Sequence, residues 1–64
     1  MPITLKAARV NAGLTQREAA KMLGISSNTL VNYEKYRTKP DVEFGKKIAD
    51  LYGTTVDNII FFAK

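Results

Sequence analysis

The sequence predicts an all-α domain, on three observations. Capping signals divide its 64 residues into five short helix-length segments. Apolar residues within those segments recur at helical spacing, and no stretch alternates apolar and polar residues as a half-buried strand would. The most informative stretch is Gln16 to Tyr36, QREAAKMLGISSNTLVNYEKY, which reads as two helices joined by a tight turn at Gly24.

In chain order, Pro2-Ile3-Thr4 is expected to be an extended lead-in, with Thr4 the N-cap of a helix over about Leu5 to Ala12. Leu5, Ala8 and Ala12 form its apolar stripe, Lys6, Val10 and Asn11 face outward, and Gly13 ends it. Arg9 falls beside the stripe, too close to the core for a plain surface charge. Leu14 plugs the turn, and Thr15 with Glu18 makes the T-x-x-E capping box that opens a second helix, Gln16 to Leu23. Its inner face carries Ala19 and Ala20 side by side, which predicts a close crossing by another helix because larger side chains would hold the two apart. Gly24 supplies the positive-φ turn and Ile25 its buried residue. Ser26 caps a third helix, about Ser27 to Lys35, with Leu30, Tyr33 and Glu34 inward. Asp41 caps a fourth, Val42 to Tyr52, whose inward set is Val42, Gly45, Ile48, Ala49 and Tyr52, and Gly53 stops it. Thr55 is expected to cap a fifth helix over Val56 to Phe61, giving Val56 and Ile59 to the core.

Composition bounds the function. A chain this short forms one domain, residues 1–64, with one small core. Having neither cysteine nor histidine, it can build no disulfide framework and no Cys/His metal site, so it reads as intracellular and cytoplasmic. The longest apolar run, Ile59 to Ala63, is far short of the roughly 20 residues of a membrane span. Ten basic against six acidic residues leave a net charge of +4, which favours a polyanionic partner. Nothing resembles a catalytic constellation: there is no Gly-rich phosphate loop and no paired-carboxylate site. No cofactor and no small-molecule ligand is indicated.

The outward residues of the third helix are Ser27, Asn28, Thr29 and Asn32, uncharged groups that donate and accept hydrogen bonds. Behind them, Lys35 to Pro40 carries three positive charges and no negative one. With Gln16 as the first position, the small Ala20 is fifth, Gly24 ninth, Ile25 tenth, Leu30 fifteenth and Tyr33 eighteenth. A small residue at the crossing, a glycine at the turn and apolar ties in the second helix together define a helix-turn-helix. From Leu5 to Ile60, including R-x-x-x-G-L-T-Q before the motif and Y-E and K-P after it, the chain resembles the phage repressor and Cro-type helix-turn-helix family.

That resemblance implies a five-helix, lambda-repressor-like DNA-binding domain whose third helix enters the major groove. It implies base-reading positions at Ser27, Asn28, Thr29 and Asn32, with an adenine expected opposite Asn28 or Asn32. DNA-backbone contacts are implied at Thr15, Gln16, Arg17, Ser26, Tyr36, Arg37 and Lys39, with Gln16 also bracing the base readers. Arg9 and Glu34 fall where related domains have a structural ion pair. The expected partner is double-stranded DNA, and the expected role is a Cro-like or repressor-like transcriptional regulator from a phage, prophage or other bacterial mobile element. An antitoxin-type regulator and a protein-interaction module of the same fold are the alternatives.

Two departures stand out. Tyr36 occupies a position where the family usually has a left-handed glycine, so either the loop takes another path or the tyrosine is held by packing or by DNA. Ile60, Phe61 and Phe62 are apolar residues with no evident place in so small a core. They are expected to make a two-fold dimer on a pseudo-palindromic operator, the alternative being that Phe61 and Phe62 fold back on the monomer.

Overall fold

The computed structural model describes residues 2–61. In chain order these form β1 (Ile3–Thr4), α1 (Leu5–Asn11), α2 (Gln16–Leu23), α3 (Ser27–Glu34), α4 (Val42–Leu51), a single 3-10 turn (Val56–Asn58) and β2 (Ile59–Ile60). Among the described residues, four α-helices thus stand where five were expected; the architecture is all-α as expected, with a single pair of two-residue strands added to it. The Thr55 side chain makes no capping bond, and the segment after it closes only one turn, too little to carry helix nucleation alone. The β-branched pair Ile59-Ile60 instead runs extended, parallel to the lead-in, with Ile3 opposite Ile59 and Thr4 opposite Ile60. This small clasp joins the two ends of the described chain.

Each α-helix begins on a side-chain cap. Thr4 accepts from the Ala7 N–H, Thr15 from Glu18, Ser26 from Thr29 and Asp41 from Phe44, at 2.8 to 3.1 Å. The capping box is complete, since the Glu18 carboxylate accepts in return from the Thr15 N–H at 3.0 Å. Thr15, through its backbone N–H first and then its side chain, holds the Glu18 carboxyl below its ordinary pKa. Helices α1, α3 and α4 stop one residue earlier than expected, at Asn11, Glu34 and Leu51.

All four end alike. The residue two past the last helical position bonds three back and the next bonds five back: Gly13 to Val10 with Leu14 to Arg9, Gly24 to Lys21 with Ile25 to Ala20, Tyr36 to Tyr33 with Arg37 to Asn32, and Gly53 to Asp50 with Thr54 to Ala49. For α2 the turning residue directly follows the helix. This double closure needs a left-handed residue at its turning point. Three are glycines, with φ between 71° and 77°, and the fourth is Tyr36 at φ 60°. A side chain in that region is disfavoured by about 1–2 kcal/mol.

The core is a single cluster. Leu5, Leu30 and Ile48 are its fully buried large residues, joined by Ala8, Ala19, Ala20, Leu23, Ala49, Tyr52 and Ile59. The adjacent alanines of α2 are buried, as expected for a close helix crossing. Val42, expected inward, is 73% exposed: as the first residue of α4 it precedes the point where the apolar stripe meets the core. Phe44 lies half-buried, its ring tilted against Tyr33 at 6.2 Å between centroids.

Phe61 has a place in the monomer after all. It packs half-buried against the core, its ring above Gly45 of α4. The expectation that this residue lacks a partner within one chain is therefore corrected. Ile60 is exposed, and Phe62 lies outside the described residues.

A Cβ added at Gly45 would meet the Phe61 ring at 3.7 Å, ordinary van der Waals contact. Gly45→Ala is therefore expected to stabilise the domain by about 0.5–1 kcal/mol, through helix propensity and a less flexible unfolded chain. Thermal unfolding checks this: a lower midpoint would mean that Phe61 cannot accommodate the methyl.

Candidate nucleic-acid interface

Arg9 and Glu34 meet beneath the helix pair. Glu34 is the last residue of α3, and Arg9 reaches it from α1 with Nε donating to Oε2 at 2.7 Å and Nη2 to Oε1 at 3.4 Å. Their side chains are only 8% and 4% exposed. A buried pair of this kind survives only if its remaining hydrogen-bonding groups are satisfied. Here they are engaged: Arg9 Nη1 donates to the Leu14 carbonyl at 2.8 Å, and Gln16 Nε2 donates to Glu34 Oε1 at 2.9 Å. One polar network thus ties α1, the turn after it, the start of α2 and the end of α3.

Gln16 is braced differently from the expectation. Its amide binds Glu34, at the far end of α3 from Ser27 and Asn28, rather than a base-reading side chain. Neither the Gln16–Glu34 bond nor the Leu14 carbonyl was foreseen, because both contacts depend on how the helices pack. The only sequence hint was a polar Gln16 set behind the Thr15 cap.

Along the outer side of α3 a polar face is presented outward. Ser27 and Asn28 are exposed, and Thr29 and Asn32 are half-buried. Thr29 is partly engaged, its hydroxyl 2.9 Å from that of Ser26. Among the described residues, none bonds to the side chains of Ser27, Asn28 or Asn32. They therefore keep their hydrogen-bonding capacity for a partner outside the chain.

The flanking residues divide into two groups. Arg17 on α2 and Arg37 and Lys39 in the loop after α3 are exposed cations. Thr15 and Ser26 are committed to caps, so what their helix starts offer a polyanion is chiefly the first-turn backbone N–H groups. Both donors of Tyr36 are used inside the chain, its N–H to Tyr33 at 3.1 Å and its hydroxyl to the Ile60 carbonyl at 3.0 Å. As it stands, Tyr36 has no donor left for a phosphate.

Tyr52, the residue after α4, is buried to 7% exposure, and its hydroxyl has no hydrogen-bond partner among the described residues. Burial, and then the Glu34 carboxylate, push its pKa up to about 12, while the Arg9 guanidinium pulls the other way. The unfolded chain would lose this proton near pH 10 and the folded chain only near 12. The contribution to stability is thus complete below pH 10 and is lost as pH rises through 12. Tyr52→Phe is expected to leave stability near neutral pH within about 1 kcal/mol and to remove part of the loss above pH 10, as measured by urea unfolding across pH. An alkaline loss identical in the two proteins would contradict this placement of the hydroxyl.

The comparisons with known proteins agree with the geometry. A helix-turn-helix family model matches residues 5–59. The HTH-type transcriptional regulator ImmR of Bacillus subtilis is 43% identical over 56 residues, which is 88% of this chain and 44% of that protein. The cryptic phage CTXphi transcriptional repressor RstR of Vibrio cholerae is 35% identical, over 81% of this chain and 47% of its own length. An uncharacterised HTH-type transcriptional regulator of Methanocaldococcus jannaschii is 34% identical, over 91% of this chain and 88% of its own. The chain thus spans less than half the length of two of these relatives and most of the third. No solved structure matches it. With its helix pair, its turn and a family match over nearly its whole length, the chain belongs to the Cro/C1-type helix-turn-helix family, alongside phage-type transcriptional regulators.

Proposed function

We propose that the chain is a sequence-specific double-stranded DNA-binding regulator that acts as a repressor on a pseudo-palindromic operator. The general class, DNA-binding transcription regulation, follows from the family. The finer reading is carried by one observation: Ser27, Asn28 and Asn32 stand on a braced helix with hydrogen-bonding side chains that no group among the described residues engages. In the major groove, Asn28 or Asn32 would pair with N6 and N7 of adenine, with Ser27 and Thr29 as permissive neighbours. Arg17, Arg37, Lys39, Gln16 and the first turns of α2 and α3 would contact phosphates, setting position without carrying sequence information.

Two copies are needed for a two-fold site. The longest dimension of the domain is 26 Å, shorter than the roughly 34 Å between successive major-groove faces, so one chain reads one half-site. Exposed Val42, which lines a groove with Pro40, Gly45, Val56 and Phe61, and exposed Ile60 supply apolar surface for such a dimer. Phe61 contributes from within that groove rather than as a free side chain.

Selecting bound sequences from a random DNA pool tests the reading. The expected product is a two-fold sequence with half-sites about one helical turn apart and an adenine in each. Asn28→Ala should then cost about 1–3 kcal/mol on the selected sequence and little on random DNA. Equal losses on both would remove Asn28 from the base readers, and an asymmetric single site would remove the dimer.

A further inference from the structure

Tyr36 combines two features that are rarely found together. Its backbone is left-handed at φ 60°, a conformation taken by glycine at the three other helix ends, and its hydroxyl reaches 24 residues along the chain to the Ile60 carbonyl at 3.0 Å. Ile60 belongs to β2, which is paired to β1. One step past Tyr36, the Arg37 N–H donates to the carbonyl of Asn32, a candidate base reader, at 3.0 Å. The exposed basic residues Arg37 and Lys39 leave the helix from this point.

We infer that Tyr36 is a positioning residue: its hydroxyl bond to the terminal strand holds the disfavoured left-handed turn, and the turn sets the direction in which the basic loop leaves α3. For its meaning in DNA binding, this rests on the reading proposed above. A residue with a Cβ relaxes to negative φ when nothing holds it. The closure of Arg37 onto Asn32 needs the left-handed turn and opens with it, and the two loop cations move away from where the helix would place them. Glycine occupies the same turn unstrained, so it keeps the loop direction without the hydroxyl. The proposal therefore orders three variants in a way that a direct phosphate contact by Tyr36 would not.

The test compares the parent with Tyr36→Phe, Tyr36→Ala and Tyr36→Gly in two measurements. The first is hydrogen exchange at the Arg37 amide without DNA. The second is affinity, across salt, for the sequence that the parent selects. Exchange is expected to speed up about tenfold or more in the Phe and Ala variants and to stay near the parent in the Gly variant. DNA affinity is expected to fall about threefold to tenfold in Phe and Ala, with a shallower salt dependence, and to stay within about twofold in Gly. Unchanged Arg37 exchange in the Phe variant overturns the proposal. So does a Gly variant as weak on DNA as Phe, or altered exchange with unaltered affinity. If the parent binds no DNA, the function reading falls, and Arg37 exchange by itself still decides whether Tyr36 sets the loop.

Discussion

The buried contact between Arg9 and Glu34 is the constraint on which the rest of the arrangement depends. Burying both charges is expensive, and their attraction offsets that only in a good geometry with their other groups occupied. The domain meets the condition by drawing in Leu14 through its carbonyl and Gln16 through its side-chain amide. The consequence is geometric as much as energetic. An apolar contact would tolerate sliding of α3 over α2, whereas a forked guanidinium on a carboxylate specifies one position for the end of α3. Fixing that end in turn fixes how Asn32 beside it, and Ser27 and Asn28 at the other end, are presented.

Around this network the domain relies on short-range devices. Every α-helix starts on a side-chain cap and ends on a left-handed turn, so each junction satisfies part of its orphan backbone groups. The connections are consequently short, and a small core suffices to hold four helices. The exception in kind is the end of α3, where a tyrosine replaces glycine and is tethered to β2. The one helix end that departs from the glycine pattern is also the one that leads into the basic loop.

What could be read from the sequence follows the same division between local and distant. The caps at Thr4, Thr15, Ser26 and Asp41 were legible because each is a signal between residues three apart. The turn at Gly24 and the close alanines were legible because the motif spacing is itself a packing statement. Arg9 was legible as a misfit, a charge on an apolar face. The pairing of Ile3-Thr4 with Ile59-Ile60 was not legible, since two residues per strand leave no alternation to detect and the partners lie at opposite ends of the chain. The seat of Phe61 against Gly45 was hidden for the same reason, as was the choice of Glu34 by Gln16. At the candidate site, the polar residues of α3 could be named from the sequence, but not that Thr29 and Asn32 lie half-buried or that the Thr29 hydroxyl meets Ser26. That Tyr36 spends its hydroxyl on Ile60 was not legible either, because only the folded chain brings the two together.

The central claim is that Arg9 and Glu34 act as one unit holding the reading helix. A double-mutant cycle with Arg9→Met, Glu34→Leu and their combination, followed by urea unfolding, tests it most directly. Each single change should cost about 3–5 kcal/mol by stranding the remaining buried group, with the double variant much closer to the parent. The coupling between the two sites should therefore exceed about 2 kcal/mol. Small single losses that add within about 0.5 kcal/mol would contradict the account, because the two residues would then be independent and α3 would be held by something else.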